Sequence, residues 1–447
     1  MTSNNVRSVA LEILLQIEKN QAYSNILLNQ MIKKHEVKGK DVGLLTEIVY
    51  GTIQQRDTLD FYLTPFLKNT KKLELWVKVL LRLSLYQMVY LDRVPERAIF
   101  FEAVEIAKKR GHKGTASLVN GVLRSIQRNG LPSLEQIKDE VERIAIETSH
   151  PNWLVTRWVK QIGIEETRKM CEVNCTPPEQ TARVNGMKTT REELIHMLNE
   201  DGVETEVGSV SIDAIKAIRG NLANTKAFKE GYFTIQDESS MLVARALGVE
   251  KDDYVLDSCA APGGKTTHIA QILQNTGKVI SLDLHKHKIK LIDEAVTRLG
   301  LENVETKAFD SRKAGEIFEV QSFDKILVDA PCSGFGVIRR KPDIKYSKSA
   351  LDNSSLAKIQ LDILTEVSTL LKKDGILVYS TCTIDYEENE GVIKTFLEQN
   401  KDFILDETIE NYLPEIVKPY IKNGQLQLYP HYFGTDGFYI ARLRKQV

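Results

Sequence analysis

Two cysteines stand just past the ends of short apolar runs: Cys332 closes FDKILVDAPC and Cys382 closes GILVYSTC. Runs of this kind read as buried strands, and consecutive strands of a parallel sheet commonly lie side by side, so both thiols should face one crevice. Carbon 5 of a cytosine is a weak nucleophile, but addition of a thiolate to carbon 6 turns it into an enamine that can attack an electrophilic methyl group. A base must then remove the carbon 5 proton so that the thiolate can leave. A free thiol is only a few per cent ionised at neutral pH, so the nucleophile needs local help. Asp329, at the end of the first run, can raise the electrophilicity of carbon 6 by protonation or hydrogen bonding at the pyrimidine N3 and amine. The competing reading is that each cysteine is a small buried residue. Position alone leaves open which thiol attacks.

The residues at the other strand ends describe a ligand site. After YVLD comes the loop Ser258, Cys259, Ala260, Ala261, Pro262, Gly263, Gly264, Lys265, which opens a helix near Thr266. Small residues and two glycines let a ligand approach the backbone, and the helix N-terminus favours a carboxylate. Asp283, 26 residues beyond Asp257, is placed to accept the hydroxyls of a ribose, and Asp310 to accept from an exocyclic amine. The loop is not G-x-G-x-x-G, and its acidic strand ends suit a cationic sulfonium better than a pyrophosphate. S-adenosyl-L-methionine is therefore the expected cofactor, with another nucleotide or a purely structural turn as alternatives.

These residues need a scaffold, and the chain divides into three expected segments. Residues 1–130 repeat helical periodicity, starting with Val6, Val9, Ala10, Ile13, Leu14 and Ile17 on one face. Further helices are predicted at 44–55, 57–67, 73–90, 97–110 and 115–127, the last two stopped by Gly111 and Asn129-Gly130. Residues 131–235 form a linker and a small α+β region with strand-like TARVNGM and GYFTIQD. Residues 236–447 alternate strands and helices, which predicts an α/β, doubly wound Rossmann-like parallel sheet ending in an antiparallel hairpin from QLYPH and GFYIARL. The stretch Gln236–Ser240, QDESS, should cap the helix leading into the first strand, with a substrate or structural role as the alternative, and GTDG near the end should be a hairpin turn.

Composition bounds the rest. Residues 1–130 hold 20 Lys+Arg against 12 Asp+Glu, whereas the remainder holds 40 against 49, so the helical segment is the part expected to meet a polyanion. Lys33, Lys34, Lys38, Lys40, Lys71 and Lys72 are candidates for that surface, and Arg339, Arg340, Lys341 and Lys345 could grip phosphates around an extruded cytosine. No run of eighteen apolar residues is present, so no membrane span is expected and the reading is a cytoplasmic monomer. The five cysteines include no C-x-x-C pair; Cys171 and Cys175 read as structural, and His285-x-His287 lacks further ligands, so no metal is expected.

DSCAAPGGKTTHI, VDAPCSGFGVIRRKPDIKY, YSTCT and PHYFGTDGFYIARL together resemble the RNA cytosine-5 methyltransferases of the Nol1/Nop2/Sun class. The N-terminal helices, including VNGVLRSIQR, are similar to the NusB RNA-binding fold, a pairing found in bacterial enzymes that act on small-subunit ribosomal RNA. The resemblance implies methylation of carbon 5 of a cytosine in 16S ribosomal RNA. It makes Cys382 the nucleophile and assigns Cys332 to proton removal or product release. Residues Cys259 to Lys265 would hold the methionine part of the cofactor, Asp283 its ribose, Asp310 its adenine, and Asp329 the cofactor or the target base. The sequence departs from many relatives at Lys341 and Tyr346, where histidine and tryptophan are expected. Methylation of a tRNA, or a non-catalytic RNA-binding assembly factor, are the alternative functions.

Overall fold

Apolar positions three and four apart pack as helices from Val6 to Asn174 in the computed structural model, which describes residues 5–20, 24–67 and 73–446. Two compact units are present, one formed by residues up to Thr176 together with Ile338–Lys348, the other by Pro177–Val337 and Ser349–Val447. This division differs from the three expected segments, because the helices 140–147, 152–162 and 164–174 join the first unit and the small sheet joins the second.

In the helical unit, Val6–Asn20 buries Val9, Ala10, Ile13 and Leu14 as its periodicity predicts. Gly111 and Gly130 follow the last residues of the helices Glu96–Arg110 and Lys113–Asn129, and Gly130 takes the positive φ of 75° that favours glycine. The helix Ser24–Lys34 is absent from the sequence reading; it buries only Leu27, Leu28 and Met31 among its apolar residues, too sparse a stripe to announce itself. Lys71 and Lys72 lie outside the described residues.

The segment Ile338–Lys348 belongs to this unit, and part of it is buried there. Lys345 is fully buried and donates from Nζ to the Gln54 carbonyl at 2.9 Å. Burial lowers its pKa to about 8. The hydroxyl of Tyr346 donates to the Ser149 carbonyl at 2.8 Å, and the Arg56 guanidinium lies 3.3 Å from the centre of its ring. Lys345 is therefore not available to grip phosphate, a correction to its expected role, because its ammonium is spent inside the helical unit.

The second unit contains two sheets. β1 (Gln180–Val184), β2 (Glu204–Val207), β3 (Ala214–Arg219) and β4 (Phe233–Ile235) form an antiparallel sheet in the order β2-β3-β1-β4. The larger sheet comprises β5 (Tyr254–Asp257), β6 (Lys278–Asp283), β7 (Val304–Ala308), β8 (Phe323–Asp329), β9 (Leu371–Thr381), β10 (Phe403–Leu405), β11 (Ile421–Lys422), β12 (Gln425–Leu428) and β13 (Phe438–Lys445). Its order is β11-β12-β13-β9-β8-β5-β6-β7, with β10 pairing β13. β7, β6, β5, β8 and β9 run parallel, and their apolar side chains are covered on both faces by separate core clusters. The order reverses between β5 and β8, which opens a crevice at their carboxyl ends.

The expected terminal antiparallel pair is present as β12 and β13. Its connection is not a tight turn: the helix Pro430–Phe433 intervenes and Gly434 ends it at φ 71°. Asp237 caps the helix Glu238–Leu247 by accepting from Ser239 N at 3.0 Å, and it also accepts from Asp436 N at 3.1 Å.

Candidate active site

β5 ends at Asp257, and the loop after it turns directly into the helix Gly264–Ile272. Ser258 N donates to the Leu327 carbonyl at 3.0 Å and Ala260 N to the Leu282 carbonyl at 2.8 Å, so the loop is pinned to the strands on either side. Gly263 has φ 101°, and a Cβ there would sit 3.2 Å from the Ile292 backbone; only glycine adopts this turn without strain. Asp257 is fully buried and accepts from the Thr266 hydroxyl at 2.6 Å. Burial raises its pKa to about 7.

The other acidic strand ends have distinct partners. Asp283 is nearly buried and accepts from His285 N at 3.0 Å. Asp310 accepts from Arg312 through both oxygens, which holds its pKa below the usual carboxylate range. Asp329 pairs with Lys265 Nζ at 2.8 Å and accepts from the Ser380 hydroxyl at 2.8 Å. Lys265 belongs to the loop after β5 and Ser380 lies two residues before Cys382, so Asp329 ties that loop to the thiol-bearing strand.

The parallel register pairs Asp329 with Ser380, and the chain beyond each strand brings the two thiols together. Cys332 Sγ and Cys382 Sγ are 3.4 Å apart, and neither is in a disulfide. The loop beyond Cys332 seals against the other strand end: Gly336 N donates to the Cys382 carbonyl at 3.0 Å and Gly437 N donates to the Gly336 carbonyl at 2.8 Å. A Cβ at Gly336 would lie 2.0 Å from the Gly437 oxygen, so no larger residue fits. The hydrogen bond with Cys382, then burial and the charges of Glu388 and Asp329, push the pKa of Cys332 well up. Cys259, in the cofactor loop, is also pushed up by burial.

A family model for the 16S rRNA methyltransferase RsmB/F matches residues 244–444, one for the NusB family residues 4–128, and one for the RsmF/B-like ferredoxin-like domain residues 150–220. The probable ribosomal RNA small subunit methyltransferase B of Bacillus subtilis (strain 168) is 56% identical over 100% of both chains. The chain belongs to the RsmB family of ribosomal RNA small subunit methyltransferases. Among solved structures, the crystal structure of PH0851 has a TM-score of 0.83 at 28% identity, covering 98% of each chain. NSun6 from Pyrococcus horikoshii with SFG has a TM-score of 0.58 at 27% identity, covering 64% of this chain and 96% of that one.

Within this RsmB-family site, every expected residue of the cofactor loop and both thiols lie at the carboxyl edge of the parallel strands. Arg339 and Arg340 are half-buried and Lys341 is exposed, all three in the segment that joins the helical unit. Sequence reasoning overlooks Arg183, Gln360, Glu388 and Asn389, all buried. Arg183, on β1, donates to the Gly264 carbonyl, the Gln236 side chain and the Thr267 hydroxyl, so the small sheet grips the first turn of the helix Gly264–Ile272. Asn389 accepts from the Thr381 hydroxyl at 2.6 Å and donates to the Thr383 carbonyl at 3.1 Å, bracing the residues on both sides of Cys382. The only sequence signal for the last two residues is the polar run YEENE immediately after the Cys382 motif.

Proposed function

We propose that the protein methylates carbon 5 of a cytosine in 16S ribosomal RNA, using S-adenosyl-L-methionine, through a covalent adduct between Cys382 and the base. The observation that carries this reading is the 3.4 Å approach of two thiols, neither in a disulfide, at neighbouring parallel strand ends beside the Lys265–Asp329 pair. The residues fit the cofactor: small side chains and the Gly263 turn leave the loop backbone open to a ligand, and the Asp283 carboxylate stands at the next strand end. S-adenosyl-L-methionine supplies an electrophilic methyl group when bound there. Residues 259–265 would hold its methionine part, Asp283 its ribose and Asp310 its adenine.

Cys382 forms a sulfur–carbon 6 bond with the cytosine as a thiolate, and Asp329 orients the base by accepting from its exocyclic amine. Once carbon 5 is methylated, Cys332 takes its proton. The electron pair of that C–H bond restores the carbon 5–carbon 6 double bond, and the pair of the C–S bond returns to Cys382. The helical unit, with its excess of Lys and Arg, would hold the RNA, and no helix among the described residues is long and apolar enough to cross a membrane.

Mapping 5-methylcytosine in the RNA of cells with the wild-type gene, a deletion and a Cys382→Ala allele tests this reading. One 16S cytosine should lose its methyl group in both altered strains. Loss confined to tRNA, or an unchanged 16S pattern, would contradict it.

A further inference from the structure

The peptide groups on both sides of Cys332 are held by two buried side chains that come from outside its loop. Gln360, on the helix Ala350–Ser368, donates from Nε2 to the Pro331 carbonyl at 2.9 Å and to Glu388 Oε2 at 2.9 Å. The same Glu388 oxygen accepts from Ser333 N at 2.8 Å. Both side chains are fully buried.

The clamp is anchored to the strand that carries the other thiol. The Tyr379 hydroxyl, three residues before Cys382, donates to the Glu388 carbonyl at 2.6 Å. Ser333 Oγ and Thr383 Oγ1, each one residue past a cysteine, lie 2.8 Å apart. The segments that carry the two sulfurs are thus tied together by contacts beyond the one between the thiols.

The choice of glutamate here is informative. One oxygen accepts both hydrogen bonds, so a neutral amide oxygen would serve the packing equally well, whereas burying a carboxylate carries a desolvation cost. Burial raises the pKa of Glu388, and its charge in turn opposes loss of the Cys332 proton, as does that of Asp329, itself paired with Lys265. Cys382 and the buried Tyr379 are further titratable groups that face Cys332.

We propose that Glu388, tied down by Gln360, is the positioning residue of Cys332: it fixes the thiol opposite Cys382, and its buried negative charge strengthens Cys332 as the acceptor of the carbon 5 proton. In that step Cys332 acts as the thiolate, its own proton having passed to solvent beforehand: the C5–H bond breaks as the S–H bond of Cys332 forms, the C–H electron pair restores the C5–C6 double bond, and the C6–S pair returns to Cys382. The inference rests on the proposed role of Cys332 and names what enforces it.

The test measures the lifetime of the covalent enzyme–RNA complex on denaturing gels, with S-adenosyl-L-methionine and a 16S RNA fragment present. Glu388→Gln keeps the acceptor oxygen and removes the charge; it should prolong the complex by about tenfold or more. Gln360→Met keeps the charge and removes the tie, and should prolong it by a smaller factor. In a Cys332→Ala background neither change should add anything, a non-additivity that a general loss of stability would not produce. Unchanged lifetimes for both single variants, or effects that persist in full without Cys332, would overturn the inference while leaving the roles of the cysteines intact. If Cys332→Ala itself accumulates no complex, the role of Cys332 fails and the inference falls with it.

Discussion

A buried carboxyl group with the proton affinity of Asp257 makes the stability of the site depend on pH. Its folded-state pKa of about 7 lies above the ordinary 3.8, so the native state binds a proton more tightly than the unfolded chain. The stabilisation is fully present below about pH 4 and is lost as pH rises through 7. Asp257→Asn removes the titration. Its melting temperature should match the wild type at pH 4 and exceed it by a widening margin toward pH 8, a difference read by calorimetry on both proteins; a constant offset would contradict the assignment. Residues such as Cys332, Cys382 and the acidic strand ends are legible in sequence because an apolar run marks a strand and the next residue must lie at its carboxyl edge. Glu388 and Gln360 are not. They meet the Cys332 loop from 55 and 29 residues away, and periodicity carries no information about buried polar partners.

At the level of elements, the doubly wound sheet is readable because each parallel strand is a β-branched run flanked by helical periodicity. The small sheet is half readable: β1 and β4 stand out, whereas β2 has the burial pattern of an exposed edge and offers no apolar alternation to detect. Its function is also hidden from sequence, since Arg183 reaches the cofactor helix only through the fold. Burial lowers the pKa of Arg183 to about 9, yet its hydrogen bonds to Gly264, Gln236 and Thr267 retain it. Arg183→Met should destabilise the protein by about 3 kcal/mol, from loss of charged hydrogen bonds that leave buried acceptors unpaired. It should also raise the KM for S-adenosyl-L-methionine more than it lowers kcat. Denaturant titration and steady-state kinetics measure the two effects, and an unchanged KM would separate the small sheet from cofactor binding.

Across the whole molecule, the chain passes from the loop beyond Cys332, at Val337, into a segment that belongs to the helical unit, and returns at Ser349. The sequence RRKPDIKYS reads as a solvated basic loop because lysine and arginine are rarely buried, and that prior fails for Lys345. Tyr346→Ala should cost the helical unit about 3 kcal/mol, and the amides of residues 140–150 should exchange faster with deuterium; unchanged protection would mean the segment is only a passenger. Trapping the RNA adduct distinguishes which of the two thiols attacks. Wild-type, Cys332→Ala and Cys382→Ala proteins are incubated with a 16S RNA fragment and S-adenosyl-L-methionine and run under denaturing conditions. Cys332→Ala should accumulate a covalent protein–RNA band and Cys382→Ala should form none; the reverse pattern would make Cys332 the nucleophile and contradict the account.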